Sequence, residues 1–415
     1  MLHEFPKTNI THNQITKSMH NQTRASSERV YALDALRAIM MLLGIVIHAS
    51  ITYGSIDYGT AWSLKDPNNS LVFDKVVGLI HVFRMPVFFV AAGYFGALLF
   101  YKKGPRAMLL NRVKRILFPF LAGVLITYPL VVFAFVYSRA AFTGAVSPFS
   151  NALSIVVSGD FLPFNVIHLW FLYFLMMYAI VGWLLAIIFN KKTAFTTSGN
   201  KVFKYILQHF WLRILCMALV FFLCLYWMGT PFIKTNNKWS IDPATFITYF
   251  VFFGTGWMLY RTSSLENLKQ YPVWQLSIAV LLFLISTFLP WPAEVWVLNS
   301  QQALTAIYSS LFIFGFIAFF LRYFNSYSSR LNYIMDASYW VYIIHLPIVA
   351  FIPGLLAGFE LPSGLKFAIT LSVTTIICFT TYKYFVRGTF IGMFLNGKVH
   401  KEKKVTVVND MALQS

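Results

Sequence analysis

RVYALDALRAIMMLLGIVIHASITY, residues 29–53, decides how the rest of the chain is read. The run is long and apolar enough to cross a bilayer, which takes about 20 residues of helix. Yet it carries Asp34, Arg37 and His48. An ionisable side chain inside a span is costly and marks either a partner or a function. His48 follows Arg37 by three helical turns, about 16 Å further along the same face. Asp34 lies one turn before Arg37 on that face.

The composition fits such a span. The chain has 415 residues, of which 58% are hydrophobic and 11% charged, with a mean hydropathy of +0.66. A soluble protein carries about 25% charged residues. The sequence therefore predicts an all-α, polytopic integral membrane protein, with an 18% aromatic content that suits interfacial belts. The net charge of +19 could point to nucleic acid, but the basic residues sit in alternate loops, as membrane topology demands. Cys216, Cys224 and Cys378 lie in apolar runs without metal-ligand spacing and read as small core hydrophobes. Residues 1–28 are polar, lack the apolar core of a signal peptide and read as a disordered cytoplasmic tail.

Ten spans are expected, near 33–53, 76–100, 116–137, 166–189, 209–228, 244–260, 273–290, 302–321, 334–353 and 365–386. With ten spans both ends share one side, which then holds 23 of the basic residues against 6 on the other. That asymmetry makes both termini cytoplasmic. The domain reading is a tail at 1–28, a ten-helix membrane domain at 29–390 and a basic cytoplasmic tail at 391–415. Residues 54–75 and 138–165 form the longest outer loops.

Several polar groups stand in or beside these spans. Arg37 alone suits a snorkelling anchor as well as a site. His48 alone could be a packing histidine bonded to a neighbouring helix; their shared face favours a site. In HVFRMPVFFVAAGYF, His81 and Arg84 are one turn apart, and a buried Arg suits an anionic or polar ligand. Pro86 is expected to kink that helix. Ala92 and Gly93 permit close helix approach, so FFVAAGYF reads as packing. NRVKRILFPF places Arg112 and Arg115 at i,i+3, either a clamp on lipid headgroups or a polyphosphate site, with charge alone favouring lipid. His168 opens HLWFLYFLMMY at the outer interface. His345 lies near mid-membrane in DASYWVYIIHLPI, where a core hydrogen bond is an equal reading.

These stretches resemble the acyltransferase family 3 membrane O-acyltransferases, and within it the glucans biosynthesis group. YALDALRAIMMLLGIVIHASITYG, HVFRMPVFFVAAGYF, NRVKRILFPF, HLWFL and ASYWVYIIHLPI occur in family order, with Arg37 and His48 as the family's Arg-x10-His pair. Ala92 stands where the family often has Ser, and the N-terminal tail has no match. The resemblance implies ten helices in the inner membrane of a Gram-negative bacterium. It implies transfer of an acyl group, succinyl or acetyl, from cytoplasmic acyl-CoA as co-substrate to a carbohydrate hydroxyl outside, foremost osmoregulated periplasmic glucan. No metal or bound cofactor is implied. His48 and Arg37 are then catalytic with Asp34 orienting Arg37, Arg112 and Arg115 bind the donor, and His81, Arg84, His168 and His345 contact the acceptor or acyl group. Attack assisted by His48 as general base and an acyl-histidine intermediate both fit. A secondary transporter with a mid-membrane anion or proton site is the competing class; it predicts an inverted repeat, which the sequence does not show. A sensor or scaffold is the third.

Overall fold

The apolar runs all fold as helices. The computed structural model describes residues 12–189, 193–289, 291, 295–324 and 326–397, and for 12–30, 194, 195 and 295 the backbone alone. In chain order the helices are α1 (His12–Tyr53), α2 (Leu71–Lys103), α3 (Pro105–Arg112), α4 (Phe118–Phe142), α5 (Pro148–Ser158), α6 (Trp170–Ile188) and α7 (Ala194–Gln208). Then come α8 (Phe210–Met228), α9 (Pro243–Arg261), α10 (Pro272–Phe288), α11 (Val295–Tyr323), α12 (Ser329–Leu355), α13 (Ser363–Thr381) and α14 (Phe390–Asn396). Among the described residues there is no strand.

A helix stands at each of the ten expected places, but only eight are long and apolar enough to cross a membrane among the described residues. The two outside that set are α9 and α10. The 17 residues of α10 reach about 25 Å at 1.5 Å per residue, short of a hydrocarbon core of about 30 Å. The 19 residues of α9 are diluted by Thr245, Thr248, Thr255 and two glycines. Of the ten expected spans, eight stand as candidate spans among the described residues, and α9 and α10 are helices outside that set.

The bundle is organised from α1 outward. It packs against α2, α11, α12 and α13, while α4 lies against α12, α9 against α2, and both α8 and α10 against α11. Burial ranks them: 78% of the apolar window of α2 and of α11 is buried, against 22% for the segment Ser363–Val386. The α2–α9 contact explains why α9 tolerates its threonines and glycines. A Cβ on Gly93 would lie 1.9 Å from the Phe253 carbonyl oxygen, and one on Gly256 1.8 Å from that of Val90. Backbone touches backbone there, which only glycine allows, so the FFVAAGYF packing reading holds. α2 runs on through Pro86 as one element. The α9 start is capped by Asp242, whose carboxylate accepts from the Thr245 N–H at 2.9 Å; the hydrogen bonds from Thr245 hold that carboxyl below the usual range.

Three chain segments depart from expectation. The backbone is already helical from His12, and no Gly or Pro between His12 and Arg29 interrupts it. The tail expected at 1–28 otherwise falls outside the described residues. The segment 138–165, expected as an outer loop, contains α5, rather than turns alone. The basic tail expected from 391 begins with α14, which docks on the bundle: the Asn396 side-chain amide donates to the Asp336 carbonyl at 2.8 Å. Residues 398–415 lie outside the described residues. Cys224 and Cys378 are buried and Cys216 half-buried, all as free thiols.

Candidate active site

The α1 face separates into two clusters. At the end of the bundle that carries α14, Asp34 and Arg37 form an ion pair at 3.2 Å, one turn apart and partly exposed. The Arg37 guanidinium lies 5.2 Å from the Phe95 ring centroid, and its charge bears on Arg112. Nη2 of Arg112 is buried without a partner among the described residues.

Arg115 is drawn elsewhere. Residues 113–117 form a π-helical turn, wider than an α-turn, so Arg115 rotates off the face that Arg112 takes. Its Nη1 donates to the carbonyls of Met393 at 2.8 Å and Phe394 at 3.0 Å. Both lie in the last turn of α14, where a cation is favoured, and the Met393 carbonyl also accepts from the Gly397 N–H at 2.9 Å. Arg115→Ala is expected to free α14 and lower the thermal midpoint by the equivalent of about 1–2 kcal/mol, measured on the detergent-solubilised protein, with α14 becoming a protease-sensitive segment.

The second cluster surrounds His48. Its ring stacks on Trp62, with centroids 5.2 Å apart and planes within 14°. It lies 5.3 Å from the ring of His345. The Nδ1 of His48 is buried without a partner among the described residues, so Nε2 is the nitrogen that meets the cavity His48 lines. That cavity has a volume of about 570 Å³, and its wall includes His81, Arg84, His168 and Tyr342.

The other two histidines of the cluster are fixed by backbone. Nδ1 of His345 sits 2.8 Å from the Tyr342 carbonyl and 3.1 Å from that of Val341. Carbonyls only accept, so Nδ1 carries the proton and Nε2 keeps its lone pair; Nε2 is buried without a partner. His168 is the mirror case. Its Nε2 donates to the Ile343 carbonyl at 3.0 Å, leaving Nδ1 unpaired. The Tyr342 hydroxyl donates to the His168 carbonyl at 2.6 Å, and the two imidazoles stand edge to face at 5.5 Å. The residue His81 donates to the Ile233 carbonyl at 2.7 Å.

Arg84 supplies the positive charge. It is 9% exposed, and its Nε donates to the Met40 carbonyl at 2.8 Å. Among the described residues no carboxylate forms an ion pair with it. Gly44 makes room for it: a Cβ there would lie 2.6 Å from Arg84 Nη2 and 3.6 Å from His345 Nε2. Gly44→Ala is expected to displace the guanidinium, the flexible partner, and to lower kcat about tenfold without unfolding the protein; steady-state kinetics beside a thermal melt checks it.

Trp62 comes from the segment between α1 and α2, which folds into the bundle rather than over it. Its indole N–H donates to Thr52 Oγ1 at 3.0 Å, and its edge meets Phe135. Asp66 anchors the segment. Its N–H donates to the Thr52 carbonyl at 3.0 Å, and its carboxylate pairs with Lys366 Nζ at 3.0 and 3.2 Å. Both side chains are buried. The Asp74 carboxylate accepts from the backbone N–H groups of Ser55 and Ile56. Burial and the nearby Asp74 push the Tyr58 hydroxyl up to about 12, so it stays a donor.

The structure thus brings His48, Arg84, His168 and His345 together, with His81 on the same cavity, and sets Asp34, Arg37 and Arg112 apart at the other end. Sequence reading missed Trp62, Asp66, Lys366 and Gly44. A glycine inside an apolar helix was the one available signal for the last. Among the described residues no group of three or more His, Cys, Asp or Glu is arranged to hold a metal.

Comparison with known proteins gives a consistent answer. A sequence model of the acyltransferase domain matches residues 30–383. Glucans biosynthesis protein C of Escherichia coli strain K12 is 26% identical over 390 residues, covering 90% of this chain and 95% of the relative. The protein of the same name from Escherichia coli strain SMS-3-5 / SECEC matches to the same extent. No solved structure matches the chain.

Proposed function

Because the chain belongs to the acyltransferase 3 domain family, we propose that it is a membrane-embedded O-acyltransferase of the bacterial inner membrane. It moves a succinyl or acetyl group from cytoplasmic acyl-CoA to a hydroxyl of a periplasmic or cell-surface carbohydrate. The names of its relatives support osmoregulated periplasmic glucan as that carbohydrate. The observation that carries the reading is His48, whose Nε2 meets a cavity shared with the buried guanidinium of Arg84.

In this reading the donor phosphates lie near Arg37 and Arg112, with Arg115 adding charge while its Nη1 holds α14. The thioester reaches His48 along α1. Neutral His48 accepts the proton of the sugar hydroxyl through Nε2 as the hydroxyl oxygen attacks the thioester carbonyl. Arg84 stabilises the oxyanion that develops. The carbon–sulfur bond then breaks, the ester stays on the sugar, and the thiolate leaves and takes up a proton. His168 lines the same cavity and His345 packs against the His48 ring, each with one nitrogen committed to backbone.

The test uses the full chain in lipid nanodiscs with succinyl-CoA or acetyl-CoA and a β-linked gluco-oligosaccharide. Acceptor-dependent release of free thiol, with one acyl group added to the sugar by mass spectrometry, supports the reading. Solute uptake into proteoliposomes without any thiol release overturns it in favour of transport.

A further inference from the structure

The cavity wall that faces the motif residues has a different chemistry from theirs. It is built from the segment 229–242, the end of α10 and the start of α11, a stretch of chain outside every motif that carries the family resemblance. Its polar lining includes Thr235, Asn237, Ser286, Thr287, Trp291 and Gln301, with Thr305 and Tyr308 of α11 beside them and no ionised group.

Two pairs of neighbours show which of its amides are structural. Asn236 is buried and spends its amide on the Lys238 carbonyl and the Asp242 N–H. Gln302 is buried and donates to the carbonyls of Leu225 and Thr230. Asn237 and Gln301, one position away in each case, are half-buried on the cavity and make no hydrogen bond within the described residues. Each amide therefore keeps a donor and an acceptor for whatever enters. Trp291 donates its indole N–H to the Ser286 carbonyl at 2.8 Å, which fixes the ring on the cavity wall.

Unspent amides and hydroxyls around an aromatic plane suit a ligand whose rim both donates and accepts and whose faces are C–H. An anion would find no cation on this wall, and an acyl chain would leave the amides unsatisfied at a cost. The cavity volume of about 570 Å³ is within the range of small-ligand sites. Resting on the transferase reading above, we infer that this wall is the acceptor subsite. It holds a neutral sugar ring by Asn237, Gln301 and the face of Trp291, and presents one ring hydroxyl to His48.

The experiment measures binding of a β-linked gluco-oligosaccharide to the full chain in nanodiscs without donor, by calorimetry, and then the acceptor KM. Asn237→Ala and Gln301→Ala are each expected to weaken binding about tenfold and to raise the acceptor KM by a similar factor, with the wild-type thermal midpoint kept. Asn236→Ala, the structural neighbour, is expected to lower the midpoint instead. Wild-type binding in both Asn237→Ala and Gln301→Ala overturns the subsite, as does tighter binding of a uronate oligosaccharide than of the neutral one. If the wild type transfers no acyl group while the two substitutions still weaken binding, the subsite stands and the transferase reading fails. If transfer proceeds and neither substitution affects it, the transferase reading stands and the subsite fails.

Discussion

His48→Ala is expected to lower acyl transfer by about a thousandfold or more while the protein remains folded. The size follows from the role: loss of a positioned general base typically costs between about 10²- and 10⁴-fold. No neighbour can replace it. His345 has its proton on Nδ1 and His168 on Nε2, each held by carbonyls, and neither ring stacks on Trp62. The truncation leaves a gap between Trp62 and His345, so the assay is paired with a thermal melt. His48→Gln fills more of that space and cannot accept the proton comparably, so it is expected to fall with alanine. Thiol release from acyl-CoA by the purified variant at the wild-type rate would remove His48 from the chemistry.

Asp66→Asn and Lys366→Met, each alone, are expected to destabilise the protein by about 3–5 kcal/mol. The pair is buried, and each change strands the other partner's charge away from water. The expected loss of activity exceeds what lost stability alone explains, because Asp66 also ties its segment to Thr52 and so seats Trp62 against His48. Asp66→Leu combined with Lys366→Met removes both charges and is expected to recover much of the thermal midpoint, but not the whole activity. Single variants that melt within about 1 kcal/mol of wild type would show that the pair is hydrated, as exposed pairs are.

The site was legible in the first span and much less so elsewhere. A helical repeat places Asp34, Arg37 and His48 on one face from residue number alone. Hydropathy placed a helix at each of the ten expected positions, but it missed the short apolar α5 and did not separate α9 and α10, by threonine content and length, from the other eight. Local periodicity says nothing of a pairing between distant residues. Lys366 looked like an interfacial charge and Asp66 like a turn residue, and only tertiary packing made them partners. Arg112 and Arg115 shared a face under α-helical spacing, and the π-turn separated them. Trp62 sat in a loop of Gly, Ser and Asp with no pattern to distinguish a buried indole from an exposed one.

The Asp66–Lys366 pair also sets an order of events during synthesis. Its partners are separated by 300 residues, and translation proceeds at about 5–20 residues per second. His48 therefore leaves the ribosome roughly 15–60 s before Lys366, at those same rates. Until α13 arrives, the segment that seats Trp62 lacks its anchor. A nascent or truncated chain ending before α13 consequently holds the imidazole without its finished surroundings, and the last candidate span to be made is the one that licenses the first.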